Sequence, residues 1–304
     1  MGKNKSGNDS EDDDSLVFAT GGEQGTYYSF GNVLAEEICK STDTSVRVIK
    51  SGGSQANVEA LSTGKADLGF VQSDIMVSNY KGDNFYKVDN FSTVAALYME
   101  PVQIVTLDPS IQSVEDLKGK NVSIGAVGSG VYYNAVDVLG SYDLDIDQDI
   151  NPMYQSFKDS AQALRSGAID AAFVVAGVPT AAITSLAEEQ QMHLVGLDDA
   201  HIEQLLEICP YYSKNTIPAS AYGLDEDVKT VAVGAIVVAR DDVPEENVYD
   251  FCAGIFENMD EIKAAHVEGE ELDLNMAASV ITVPYHPGAA KYFAEKGIEV
   301  PVKE

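Results

Sequence analysis

Short, continuously apolar runs alternate along this chain with longer stretches whose apolar residues recur every three or four positions, and the period changes at glycine-rich turns. Leu16 to Ala19 reads as a strand, Gly21-Gly22-Glu23-Gln24-Gly25 as a turn, and the segment after it as a helix. Val122 to Ala126, Gly128-Ser129-Gly130 and the segment beyond repeat that order. A second helix in each stretch ends at Gly64 or Gly167, where a left-handed C-cap favours glycine. Leu68-Gly69-Phe70-Val71 and Ala171-Ala172-Phe173-Val174-Val175 follow, apolar throughout as parallel strands covered on both faces are.

The two stretches also align letter by letter. Leu61 to Val71 matches Leu164 to Val174 at Leu, Gly, Asp, Phe and Val, 103 positions on, and Gly25-Thr26-Tyr27-Tyr28 matches Gly130-Val131-Tyr132-Tyr133, 105 positions on. The pattern predicts an α/β protein of two lobes, each a mostly parallel sheet flanked by helices, with a ligand expected outside the carboxyl ends of the strands. Thr93 to Leu107, with Glu100-Pro101 inside it, and Val231 to Ala239 read as crossovers between the lobes. The first lobe is then expected at 16–102 plus 224–304 and the second at 103–223, with a hinge where the chain crosses twice. Asp273 to Pro287 carries no pattern that places it.

Composition narrows the partners. Lys and Arg total 19 against 49 Asp and Glu, a formal charge of -30. Such a field repels nucleic-acid backbones and anionic lipid surfaces, and as a solvated surface it says little about a ligand. Residues 1–15, MGKNKSGNDSEDDDS, have the composition of a disordered tether. Met1-Gly2-Lys3-Asn4-Lys5-Ser6 fits a myristoylation pattern, but so short a motif matches readily by chance. The preferred reading is that Met1 stands where a bacterial lipoprotein has its lipidated cysteine. No apolar signal core opens the chain and no run of about eighteen apolar residues crosses a membrane. A mature form is therefore expected.

Candidate chemistry concentrates in the turns. First-turn amides of a helix lack intrahelical partners and sit at the positive end of its dipole, so the openings at Gly21, Gly22, Gly25 and Thr26 and at Gly128, Ser129 and Gly130 suit an anion. Ser54, in Ser51-Gly52-Gly53-Ser54, either caps its helix or faces the ligand, and Asn57 adds an amide one turn on. Gln72-Ser73-Asp74 leaves the end of a buried strand, and Ala176-Gly177-Val178-Pro179-Thr180 holds the equivalent place, with Pro179 suited to a first helical turn.

Catalytic signatures are not found. His193, His201, His266 and His286 lack metal-ligand spacing, and no nucleophile elbow or phosphate loop occurs. Asp143, Asp145, Asp147 and Asp149 imitate a calcium loop, but Gln148 stands at its glycine position and Tyr154 at its bidentate glutamate, which leaves a solvated acidic loop. Cys39, Cys209 and Cys252 permit at most one disulfide, and Cys252 lies in an apolar run. Arg165 and Arg240 are expected near solvent, which leaves Arg47 as a remote candidate for an anion. No metal or cofactor is implied.

Ala19-Thr20-Gly21-Gly22-Glu23-Gln24-Gly25-Thr26-Tyr27-Tyr28 resembles the opening ATGG-x-x-GTYY motif of the TAXI solute receptors, which serve tripartite ATP-independent periplasmic (TRAP) transporters. Ser51 to Ser54 with Asn57, Gly64 to Gly69, Val114 to Lys120 and Gly128-Ser129-Gly130 extend the resemblance across about residues 16 to 300. It implies a two-lobed periplasmic-binding-protein fold, type II-like, without enzymatic activity. It further implies an extracytoplasmic setting, a glutamate-, amino-acid- or dicarboxylate-like ligand in the interlobe cleft, and TRAP membrane subunits as partners. Carried over to this chain, the ligand-binding residues are Gly22, Thr26, Tyr28, Ser54, Asn57, Gln72, Ser129, Gly130, Val131 and Gly177, with the ring of Tyr28 as a wall. Ser29-Phe30 replaces a common Pro-Leu, and Val131 replaces a frequent hydroxyl residue, a departure that bears on the ligand set. An enzyme on the same scaffold and a receptor for a signalling partner are the competing readings.

Overall fold

The computed structural model describes residues 15–83 and 86–303, so the expected tether and lipid anchor lie outside the described residues apart from Ser15. The first stretch folds as β1 (Leu16–Ala19), α1 (Thr26–Ser41), β2 (Val46–Ile49), α2 (Ser54–Ser62) and β3 (Leu68–Gln72). After α3 (Ser73–Lys81) and the long strand β4 (Phe91–Thr106), the second stretch repeats it as β5 (Asn121–Ser123), α4 (Val131–Ser141), β6 (Asn151–Met153), α5 (Phe157–Ser166) and β7 (Ala171–Val175). Then come α6 (Ala181–Glu189), β8 (His193–Leu194), α7 (Asp199–Ile208), β9 (Ser213–Ile217) and β10 (Val228–Arg240). Helices α8 (Glu245–Phe256), α9 (Met259–Ala265), α10 (Leu274–Ala277) and α11 (Pro287–Glu295) close the described chain.

The duplication is visible in the sheet order. β1 lies between β2 and β3, parallel to both, and β5 lies between β6 and β7 in the same way. An antiparallel strand flanks each triplet, β10 beside β3 and β4 beside β7. Both expected glycine terminators are left-handed, Gly64 at φ 71° and Gly167 at φ 70°.

Strands β4 and β10 make the crossing. They run antiparallel from Ala232 opposite Pro101 to Arg240 opposite Phe91. Each serves both lobes: Val102 to Thr106 of β4 pairs with β7, and Val228 to Ala232 of β10 pairs with β9, while Ala235 to Ala239 pairs with β3.

Separate cores follow from the period of the elements. Helix α1 buries Tyr27, Phe30, Leu34 and Ile38, spaced three or four apart, against Phe18, Phe70 and Phe251. The rings of Phe18 and Phe70 stand 5.0 Å apart, and Cys252 is buried in the same core. In the second lobe Ala171, Phe173 and Val175 of β7 enter one cluster and Ala172 and Val174 the other, the alternation of a strand covered on both faces. Val231 and Val233 of β10 also pack in this second lobe. Each such large apolar side chain contributes about 1.5–3 kcal/mol when fully buried.

The stretch 273–287, which sequence pattern left open, anchors the C-terminal helices to the crossing strand. Asp273 caps α10 through Asn275 N–H and Met276 N–H, and buried Tyr285 donates its hydroxyl to Ala277 O at 2.7 Å. Thr93 of β4 donates to Pro284 O, and His286 caps α11. The acidic loop is closed on itself, with Asp145 accepting from Asp147 N–H and Gln148 N–H. Pro179 precedes its helix by two residues, because Thr180 takes the N-cap. Among the described residues no helix is long and apolar enough to cross a membrane.

Candidate functional site

Because each repeat turns from a strand end directly into a helix, the first turns of its helices face the same crevice. The starts of α1, α2, α4 and α5, two from each lobe, surround a cavity of about 300 Å³. Four positive dipole ends therefore converge on one volume. Its floor lies at the carboxyl ends of β3 and β7, at Gln72 and Val175, with Glu100 of β4 between the lobes.

The lobes meet around this volume. Ala56 N–H donates to Gly128 O at 2.9 Å, and Thr26 Oγ1 to Gly177 O at 3.5 Å. Gln72 Nε2 donates to Asn134 Oδ1 at 3.1 Å, and Asn134 Nδ2 donates in turn to Asp74 Oδ2 at 3.0 Å. At the rim Lys158 reaches Glu23 across the cleft at 3.5 Å, and Glu23 also pairs with Lys50.

Of the residues named from the sequence, Gly22, Thr26, Ser54, Gln72, Ser129, Gly130 and Val131 line the cavity. Ser54 is not an N-cap, since Gly53 holds that place. Its buried hydroxyl accepts from Gln72 N–H at 3.1 Å and sits 3.4 Å from Tyr27 Oη.

Tyr28, Asn57 and Gly177 lie off the wall. Helical spacing turns Tyr28 outward, half-buried, with the Lys50 ammonium 5.4 Å above its ring. Tyr27 takes the expected place, stacking on Phe70 at 4.7 Å and donating to Glu100 Oε2 at 2.7 Å. Asn57, fully buried, donates to Thr20 O and Phe70 O and so clamps α2 to the ends of β1 and β3. Gly177 leaves room for the Glu268 carboxylate, which a Cβ there would meet at 2.0 Å. Arg47 is exposed on β2, while Arg165 and Arg240 are engaged by Glu189 and by Asp67 and Asp242.

Sequence reading missed Tyr27, Glu100 and the start of α5. The repeat itself carried one signal: 103 positions beyond Ser54 lies Phe157, and Ser156 to Asp159 do line the cavity. Glu100 carried another, as the single charge inside the apolar run from Phe91 to Thr106.

Carboxyl groups dominate the electrostatics. Burial holds Glu100 well above the ordinary carboxylate range. It pushes Asp74 up to about 7, with Asp137 adding to the effect, and Glu268 up to about 8, with Glu271 adding. Among the described residues no cluster of His, Cys, Asp and Glu could hold a metal ion. The arrangement suits capture of a small anionic group by amides and hydroxyls, with a carboxyl group at the floor.

Residues 18–297 match the model of the NMT1-like family. This chain belongs to that family. In three dimensions it is similar to a protein of Bordetella bronchiseptica RB50, at 17% identity and a TM-score of 0.58, covering 92% of this chain and 89% of that one. An ancestral arginine-binding protein bound to arginine is similar at 15% identity and a TM-score of 0.55, over 84% and 97% of the two chains. The GluR0 ligand-binding core of Nostoc punctiforme, in complex with L-glutamate, gives 16% and 0.51, over 82% and 96%. At such identities the likeness is one of fold, and the fold is the two-lobed periplasmic-binding-protein architecture with an interlobe cleft.

Proposed function

We propose that this NMT1-like chain is an extracytoplasmic solute-binding protein of the TAXI type. It closes its lobes around a small organic anion or amino acid, glutamate- or dicarboxylate-like, and presents it to the integral-membrane subunits of a TRAP transporter. One observation carries the reading: four helix N-termini, two from each lobe, converge on a single cavity. A ligand there touches both lobes at once, so its binding energy favours the closed form. The lobes are taken as 16–102 plus 224–304 and 103–223, with β4 and β10 running through both, and residues 1–15 as the tether of a lipid-anchored native form. Neighbours of the same fold that bind arginine or glutamate favour a binding role over an enzymatic one.

A thermal-shift screen of the refolded, ligand-free protein against amino acids and mono- and dicarboxylates tests this. A ligand at a hundred times its Kd adds about 2.7 kcal/mol of stability, a rise of several degrees. The expected result is a hit within these classes that Thr26→Ala or Ser54→Ala weakens. Folded protein that no member of the panel shifts would overturn the reading.

A further inference from the structure

The turns account for a negative group on the ligand, but the cavity floor asks for something else. Glu100 is 2% exposed and reaches the cavity from β4, at the point where that strand passes between the lobes. Tyr27 donates to its Oε2 at 2.7 Å, and no hydrogen bond reaches Oε1 among the described residues. The other titratable groups that act on it are Asp74 and Glu268, both carboxyls. No lysine, arginine or histidine among the described residues forms an ion pair with it. Lys158, the cation in the cavity wall, is drawn to Glu23 at the rim.

A carboxyl group buried without a cation stays protonated, and it ionises when a counter-charge arrives beside it. Glu100 is part of the wall of the ligand volume. The same volume is bounded by the starts of α1, α2, α4 and α5, which favour a negative group. A molecule that answers both ends carries a carboxylate and an ammonium group a few bonds apart. Apolar contacts from Phe157, Val131 and Val175 remain for its side chain.

We propose that Glu100 is the specificity-determining residue of the cleft, pairing with the ammonium group of an α-amino acid whose carboxylate lies on the helix N-termini. The solute class is then α-amino acids, to the exclusion of oxo acids and dicarboxylates of the same shape. This rests on the reading of the cavity as a solute site and narrows it.

The test is calorimetric titration of the refolded full chain with pairs that differ in an ammonium group against a ketone. L-glutamate against 2-oxoglutarate, L-aspartate against oxaloacetate, L-leucine against 4-methyl-2-oxopentanoate and L-phenylalanine against phenylpyruvate make a suitable set. In the pair that binds, the amino acid should be tighter by about a hundredfold, as expected when a buried charge pair gains or loses a partner. Glu100→Gln keeps the shape and should lose that factor for the amino acid while leaving the oxo acid unchanged. A merely structural role for Glu100 would weaken both members alike and would overturn the inference.

Oxo acids or dicarboxylates that bind as well as amino acids, with Glu100→Gln neutral or tighter, would also overturn it. The carboxyl then acts as a protonated donor, and the solute-binding reading survives. If no amino acid, oxo acid or dicarboxylate binds, both readings fall. Should Glu100→Gln fail to fold, the comparison within each pair on the unmodified protein decides alone.

Discussion

The turns Gly25-Thr26-Tyr27-Tyr28 and Gly130-Val131-Tyr132-Tyr133 are nearly the same sequence at the start of equivalent helices, yet they do different work. In the first lobe the tyrosine after Thr26 is buried, stacked on Phe70 and bonded to Glu100. In the second, Tyr132 is half-buried and stacks at 6.1 Å on exposed Tyr154. The glycines diverge too. A Cβ on Gly25 would find its nearest neighbours at 3.4 Å, an ordinary contact, whereas one on Gly130 would lie 1.8 Å from Gln72 Oε1. Duplication thus supplied backbone amides twice. Tyr27 of the first copy reaches Glu100 on β4, which belongs to neither copy, and Gly130 of the second copy leaves room for Gln72 where the lobes meet.

That contrast breaks most sharply at the glycines. Gly130→Ala forces its methyl group into the Gln72 carboxamide, which Asn134 holds in place. Overpacking of this kind costs about 1–3 kcal/mol, so ligand affinity should fall by about tenfold to a hundredfold. Gly25→Ala should stay within about threefold of the unmodified protein. Titration calorimetry measures both, and equal losses would mean that the two turns share one role.

The tyrosines come next. Tyr27→Phe deprives buried Glu100 of its hydrogen-bond donor and should cost about 1–3 kcal/mol in urea denaturation. Tyr132→Phe should lie within about 0.5 kcal/mol of zero.

A smaller effect is expected from pH. Asp74 and Glu268 have folded values of about 7 and about 8, above those of unfolded carboxyl groups, so the folded protein binds their protons more tightly. Their contribution is full at low pH and is lost as pH rises through these values. The melting temperature should therefore decline by a few degrees from about pH 5 to about pH 8 and then level, and Asp74→Asn should flatten the lower part of that decline. A decline unchanged in Asp74→Asn would remove this interlobe carboxyl from the account. The rim gives the least: Glu23→Gln breaks ion pairs to Lys50 and Lys158 that are open to solvent, and no measurable change in melting temperature is expected.

Much of this architecture is legible in the sequence. Gly64 and Gly167 marked helix ends because a positive φ selects glycine, and Leu68 to Val71 and Ala171 to Val175 marked buried strands because both faces exclude water. Seven of the ten residues named for the site do line the cavity, since amides at strand-to-helix turns are placed by local sequence. Tyr27, not Tyr28, lines the cavity, because neighbouring helical positions differ by about 100° of rotation and a pair of tyrosines does not say which one faces inward. Asn57 lies off the wall because its amide serves Thr20 O and Phe70 O, acceptors that only the folded chain brings within reach.

The sequence by itself determined the repeated strand, turn and helix units, their glycine terminators, the two crossover strands and the amides offered to an anion. These depend on backbone conformation and on residues close together in the chain. Only the tertiary structure decided that Tyr27 meets Glu100, that Gln72 reaches Asn134 across the lobes, and that the start of α5 completes the cavity. Each joins residues 62 or more positions apart, or elements from different lobes, and the choice of partner is made by packing and by the loss of water around buried polar groups.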